Sequence, residues 1–364
     1  MKARRLALLA EGRFTPLDAK TAVGMLRYRP QQVVAVVDST SAGRTAEACV
    51  GVGGAIPVVA DLEAASARGA DSLMIGVAPQ GGGLPEEWRR MVREAITRGW
   101  DVLSGLHVFL ADDPEFAALA ERHGARLIDA RRPPATRPVA ARRAAALDAC
   151  VVLTVGSDCN VGKMTAALEL VRGLEARGTR AAFVATGQTG IFITDHGVAI
   201  DAVVSDFAAG VIEQHVVDAA RDADVVVVEG QGALHHPGYA GVALALLHGA
   251  CPSAMVLCHV AGRERLRKPG APPSDEDSQP EIRPLSDLVR VYESAASWVS
   301  PGTVVAVALN THGLDDATAR HAIQSAARET GLPATDPIRF GAGLLVDAIE
   351  AHRASRGGRR ATVR

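Results

Sequence analysis

Residues 151–168 read VVLTVGSDCNVGKMTAAL, and the order of residue types in this stretch decides the fold of the C-terminal half. An unbroken apolar run, Val151 to Val155, enters a glycine, and beyond Gly162-Lys163 apolar residues recur at Met164, Ala167, Leu168, Val171 and Leu174. The pattern predicts a strand buried on both faces, a tight loop and an amphipathic helix. Backbone amides at the start of such a helix point into the loop and favour an anion there. Gly156, Ser157, Asp158, Asn160, Val161 and Gly162, with Lys163, Met164 and Thr165, are the candidates for holding a phosphorylated cofactor. Lys163 adds charge for the terminal phosphates, and Thr165 offers a hydroxyl to Mg²⁺. Lysine occurs 4 times in the chain against 35 arginines, so a lysine in this slot is not compositional drift.

Working outward, further continuous apolar runs follow at Ala181 to Ala185, Val225 to Val228, Ala254 to His259 and Val304 to Leu309. Upstream, short β-branched runs alternate with Ala-rich amphipathic segments from Val33 to Ile128, as βαβ units do. The expected architecture is α/β: a Rossmann-like domain over 1–130, and a P-loop NTPase-like domain with a mostly parallel sheet over 149–354. The first run, Val33 to Val37, is followed by DSTSAGRTA, which has one glycine and no dinucleotide fingerprint. Residues 131–148, rich in Pro, Arg and Ala, read as a linker, and 355–364 as a disordered tail. Gly262 to Pro284 reads as a lid or a passive insertion.

Composition narrows the function classes. With 39 Lys plus Arg against 41 Asp plus Glu, nothing calls for nucleic acid or an anionic membrane as partner. Five cysteines without a CxxC pair fit a reducing cytoplasm rather than a disulfide framework. The opening MKARRLALLAEG has the basic residues of a signal peptide, but Glu11 cuts its apolar run short.

Around the loop, Glu229 ends a buried strand before two glycines, where an acid can bind Mg²⁺ and backbone can approach a phosphate. Asp206 is the candidate third acid, with Asp201 as substitute; a helix N-cap is the alternative for either. Gln188, Thr189 and Gln231 are expected to face the same crevice and contact substrate. His235 and His236, with His259 and Arg263, sit near strand ends and could hold a carboxylate or move a proton. Lys163, Glu229, His235 and His236 are thus the catalytic candidates, and Thr165, Asp206 and Glu229 the metal candidates. In the N-terminal half, Gly81 to Gly83 suggests a backbone-lined site. Ser104 with His107 lacks a third partner and reads as a structural loop.

Two of these stretches resemble dethiobiotin synthetase, whose loop reads GTDxxVGKT and whose later loop reads EGAGG. That resemblance implies that Asn310, at the end of its strand, reads an adenine edge; a turn-forming role is the alternative. The combination GSDCNVGKMT, ATGQTGIFI, EGQGALHHPGYAGV and SGLHVFLADDPE resembles a two-domain P-loop family, long of unknown function, that includes D-glutamate N-acetyltransferase. It implies a small-molecule substrate bearing amine and carboxylate groups. The leading expectation is amide formation by ATP and Mg²⁺ through an acyl phosphate. The alternatives are acetyl-CoA-dependent N-acetylation and, outside enzymes, a nucleotide-switched regulatory ATPase. A homo-oligomer is expected.

Overall fold

The computed structural model describes residues 4–16, 18–77, 83–267 and 279–361. The chain forms two compact units, Met1–Pro133 with Gly187–Ala202, and Pro134–Thr186 with Val203–Arg364. Each unit is built on a six-stranded sheet in which every strand pair is parallel.

The first unit contains β1 (Leu6–Leu9), α1 (Lys20–Tyr28), β2 (Val33–Val37), α2 (Ala46–Val50), β3 (Val58–Val59), α3 (Leu62–Ser66) and β4 (Ser72–Ile75). It continues with α4 (Glu86–Thr97), β5 (Asp101–Ser104), α5 (Pro114–His123) and β6 (Leu127–Asp129). The sheet order β3-β2-β1-β4-β5-β6 is that of a Rossmann fold, with its crossover reversal between β1 and β4. The sequence reading began this sheet at Val33 and so missed its central strand. Leu6 to Leu9 is fully buried, and the segment that looked like a broken leader is the strand from which both halves of the sheet grow. A strand buried on both faces needs no alternation, and a four-residue run has too little length to declare itself. The loop after this true first strand, Ala10 to Thr15, again has one glycine, so the fingerprint is absent there too. Gly81 and Gly82 lie outside the described residues. Ser104 is buried and its hydroxyl accepts from the Leu106 amide at 3.2 Å, as a turn residue does.

The first unit also captures α7 (Gln188–Thr194) and the residues up to Ala202. Buried Arg131 organises this capture: it donates to the Gly105 carbonyl at 2.7 Å, to Gln188 Oε1 at 2.8 Å and to the Asp201 carboxylate. The Thr21 and Thr189 hydroxyls share a hydrogen bond at 2.9 Å. A Cβ on Gly105 would fall 2.6 Å from Gln188 Cγ, so glycine is required for this approach.

The second unit runs β7 (Cys150–Gly156), α6 (Lys163–Ala176), β8 (Ala181–Val184), α8 (Ser205–Ala219), β9 (Val225–Val228), α9 (Ala240–Ala250) and β10 (Ala254–Val260). It closes with α10 (Leu285–Ser297), β11 (Thr303–Asn310), α11 (Asp316–Thr330), β12 (Ala334–Thr335) and α12 (Gly343–Ala361). The sheet order is β12-β11-β10-β7-β9-β8, which centres the loop-bearing strand β7. Val152, Val227, Val256 and Ala306 pack with Ala167, Leu170 and Leu174 of α6 and with Leu345 and Ile349 of α12. The segment from Ser355, expected to lack structure, lies within α12 as far as Ala361.

The Pro/Arg-rich stretch before β7 is held against this unit. The fully buried carboxylate of Glu213 on α8 accepts from the Ala141 amide at 3.1 Å and from the Arg143 amide at 2.6 Å and guanidinium at 2.9 Å. α8 meets it at Gly210, where a Cβ would fall 1.9 Å from the Pro138 carbonyl oxygen. Composition marks this stretch as polar, but the acid that anchors it lies 70 residues downstream. Among the described residues no helix is long and apolar enough to cross a membrane.

Candidate functional site

The site begins where β7 ends. The strand's last residue is Gly156, where a Cβ would lie 2.9 Å from both Lys163 Nζ and Val161 Cγ2. The loop then turns through left-handed conformations at Asn160 (φ 57°) and Gly162 (φ 99°), and α6 starts at Lys163. Asparagine and glycine are the residues that accept such angles most readily. Val161 is buried beneath the loop. The amides of Asn160, Val161 and Gly162 donate to no group among the described residues, which leaves a cluster of donors at the N-terminus of a 14-residue helix.

Lys163 lies under this loop, 6% exposed, with Nζ donating to the Asp158 carbonyl at 2.7 Å. Burial pushes its ammonium pKa down, against the opposing pull of Cys159, Cys258, Asp158 and Glu229. A phosphate in the loop would restore the charge partner that burial removes. Thr165 stands half-buried on the first turn of α6, and Met164 beside it is equally half-buried.

Two clamps hold the loop in shape. Asp158, fully buried, accepts from the Cys159 amide at 2.6 Å, from Arg263 Nη1 at 3.2 Å and from the Arg267 amide at 2.8 Å. Tyr292 on α10 is the second clamp. Its hydroxyl donates to the Gly156 carbonyl at 2.7 Å and accepts from the Leu234 amide at 3.3 Å, so it joins the phosphate loop to the loop after β9. Burial raises the pKa of this phenol, which keeps its proton available for the bond. Ser157 Oγ meets His259 Nδ1 at 2.7 Å, and burial, with Arg263 adding to it, pushes the His259 imidazole down to about 4. His259 is therefore neutral at physiological pH.

Opposite the loop, Gly230 donates its amide to Thr154 Oγ1 at 2.9 Å, and a Cβ there would fall 1.6 Å from the Thr154 carbonyl oxygen. Glu229 accepts from the Thr186 amide at 3.0 Å, and the Thr186 hydroxyl donates to the Glu229 carbonyl at 2.8 Å. Gln231 reaches the same threonine through its amide group, bonding its carbonyl and, at 3.3 Å, its hydroxyl. His236 is buried and its Nδ1 accepts from the Gly238 amide at 3.1 Å, so a neutral ring carries its proton on the other nitrogen. His235 differs: both ring nitrogens are buried with no hydrogen-bond partner among the described residues. Burial lowers its pKa, opposed by Asp158 and the Ser157 backbone, while His236 and Arg283 add to the lowering.

Two family profiles match this chain. Residues 39–133 match "Domain of unknown function (DUF1611_N) Rossmann-like domain", and 138–346 match "Domain of unknown function (DUF1611_C) P-loop domain". The chain belongs to the DUF1611 family. A crystal structure of a DUF1611 family protein from Anabaena variabilis is similar at TM-score 0.90 and 39% identity, over 96% of this chain and 99% of that one. A D-glutamate N-acetyltransferase from Tritonibacter scottomollicae is 40% identical over 335 residues, 92% of this chain and 95% of the relative. A second, from a Pseudoalteromonas species, is 35% identical over 79% of this chain and 82% of its own length.

Within the DUF1611 P-loop unit the structure gathers Gly156 to Thr165, Glu229, Gln231, His235, His236, His259 and Arg263 at the carboxyl ends of β7, β9 and β10. Gln188 and Thr189, expected to face this crevice, are instead built into the first unit, where they bond Arg131 and Thr21. Asp201 is likewise the partner of Arg131 there. Asp206 stands exposed on the first turn of α8, and its N-cap position is taken by Val204. Asn310 Oδ1 accepts from the His312 amide at 3.0 Å, which forms a turn and leaves the side-chain NH₂ unengaged among the described residues.

Among the described residues one group of three side chains could share a metal ion, Asp158, Cys159 and His236, and it includes none of the expected metal residues. Within it Asp158 already accepts from the Cys159 amide, Arg263 and the Arg267 amide, and His236 Nδ1 from the Gly238 amide. Sequence reading missed Tyr292, Thr154 and Thr186, whose contacts are all with residues remote in the chain.

Proposed function

We propose that this chain is an N-acyltransferase that moves an acetyl group from acetyl-CoA to the amine of an acidic amino acid such as D-glutamate. The observation that carries the reading is a phosphate cradle with an uncommitted, desolvated imidazole, His235, beside it. The names of the relatives with which the chain aligns over most of its length support it.

The free amides of Asn160 to Gly162 and Lys163 hold the diphosphate of the cosubstrate. The amine nitrogen attacks the thioester carbonyl carbon, the C–S bond breaks, and the thiolate of CoA leaves with the electron pair. His235, neutral because it is buried, takes the proton the amine sheds. His236, with its proton on the nitrogen that does not face Gly238, donates rather than accepts. No step of this scheme uses a divalent cation, and the role it gives Glu229 is to fix Thr186, which in turn holds Gln231.

Incubating the full chain with acetyl-CoA and a panel of acidic amino acids, without ATP or Mg²⁺, is expected to give N-acetylated product and one free thiol per turnover. Product that forms only from free acetate with ATP and Mg²⁺ would overturn the reading in favour of the ligase.

A further inference from the structure

The loop that carries His235 also borders a groove. Leu234, the neighbour of His235 in the chain, lines a space of about 620 Å³ between α9 and α10. Arg283 stands at its head, close enough to His235 to add to the lowering of the imidazole pKa. From there the groove follows one face of α10 past Asp287, Val291, Ala295 and Trp298, a helical spacing that covers about 16 Å. The volume is that of a pocket for a drug-sized ligand, far more than the methyl of an acetyl group needs.

The opposite wall is α9, AGVALALLHGA, in which His248 is the one polar residue of 11. A helix apolar on all sides is normally covered on all sides. α9 is not: where it faces the groove, Ala240 and Leu244 are half-buried and Gly241 is exposed. At the far end Trp298 is 70% exposed, the most of any large hydrophobic side chain among the described residues. Asp287 and Arg290 are bonded to each other across one turn of α10, so their charges are matched within the protein. A carboxylate or ammonium seated beyond Arg283 would give up water without gaining a free countercharge. A hydrocarbon chain has no such loss, and gains contact with Leu234, Leu244, Val291 and Trp298.

We propose that this groove takes the acyl chain of an acyl-CoA donor, so that the enzyme also transfers acyl groups longer than acetyl to the amine. The assignment rests on the CoA-dependent reading above, and adds to it the class of acyl group. The bonds that change are the same: the amine nitrogen attacks the thioester carbon, the C–S bond breaks, the CoA thiolate leaves with the electron pair and His235 takes the proton. Only the chain on the carbonyl differs, running from Leu234 toward Trp298.

The test compares kcat/KM for acetyl-CoA and hexanoyl-CoA, with a panel of acidic amino acids as acceptors, in the full chain and in Gly241→Leu. Each methylene fully buried is about 4-fold in binding, so in a groove open on one side hexanoyl-CoA is expected to be favoured at least about 10-fold. A Cβ on Gly241 meets nothing within 4 Å, so leucine there fills the groove without a clash. Gly241→Leu should lower the hexanoyl-to-acetyl ratio at least about 10-fold. Turnover of acetyl-CoA with hexanoyl-CoA used no better would overturn the groove assignment and leave acetyl transfer standing, as would a preference that Gly241→Leu does not change. A dimer in sedimentation that Gly241→Leu dissociates would give the groove to a second copy of the chain and overturn the assignment as well. No turnover of either acyl-CoA would overturn both readings.

Discussion

The loops after β1 and β7 occupy the same place in two parallel sheets of the same size, and they spend their backbone amides in opposite ways. After β1 the chain supplies its own anions. Glu11 accepts from the Ser39 amide at 2.8 Å and from its hydroxyl, and Asp38 accepts from the Gly12 amide at 3.0 Å and the Thr40 hydroxyl at 2.8 Å. After β7 the loop's own buried acid, Asp158, is taken up by the Cys159 and Arg267 amides and by Arg263, while the amides of Asn160 to Gly162 are left open beside a buried lysine. A parallel sheet provides a crevice at its carboxyl edge in either case. Whether an anion can enter it is decided by which charges the loop carries.

The contrast can be broken most severely at Gly230. Gly230→Ala places a methyl 1.6 Å from the Thr154 carbonyl oxygen, so a loss of about 3 kcal/mol or more in urea unfolding is expected. A variant as stable as the parent would show that the two loops can separate without cost.

His259 adds a pH-dependent contribution at the β7 loop. Its pKa is about 4 in the fold against 6.5 for the free side chain, so the unfolded chain binds the extra proton first. The stability it contributes is whole above about pH 6.5 and lost as pH falls through about 4, roughly 3 kcal/mol in all. Denaturation curves across that range should show the loss, and His259→Asn should flatten it; parallel pH profiles would reject the assignment.

Lys163→Ala is expected to cut kcat/KM about 100-fold while leaving the unfolding midpoint nearly unchanged, since removing a desolvated ammonium relieves a cost. Retained activity would reduce the β7 loop to the structural role of its counterpart. Tyr292→Phe removes one buried hydroxyl that bridges two loops, and a loss of about 1 to 2 kcal/mol is expected by thermal unfolding. Gly12→Ala, in open space at φ 66°, is the mildest change, about 1 kcal/mol of backbone strain with turnover intact. A fall in activity there would give the β1 loop a part in the chemistry.

Much of this was legible in sequence. β7, its loop and α6 stand out because three independent patterns coincide within one short stretch, and β9, β10 and β11 because strands buried on both faces read as unbroken apolar runs. α5 was readable to the residue, since Asp113 and Pro114 start it and Gly124 ends it in a left-handed turn. β1 was not, because a short apolar run after basic residues has the same composition as a leader. Nor was the allegiance of Gln188 and Thr189: their strand-end position is that of crevice residues, and only their remote partners, Arg131, 57 residues before Gln188, and Thr21, 168 before Thr189, show otherwise. Tyr292 could not be found by pattern, since its one polar atom matters only after α10 has packed against β7.

The excursion from Gly187 to Ala202 gives the chain three passages between its units, after Pro133, Thr186 and Ala202. The two halves are therefore not separable modules. A gene fragment beginning at Pro134 would carry Phe192, Ile193 and Ile200, which are buried in the whole chain, with no surface of their own to cover them. A fragment ending at Pro133 would leave Arg131 buried without its carboxylate.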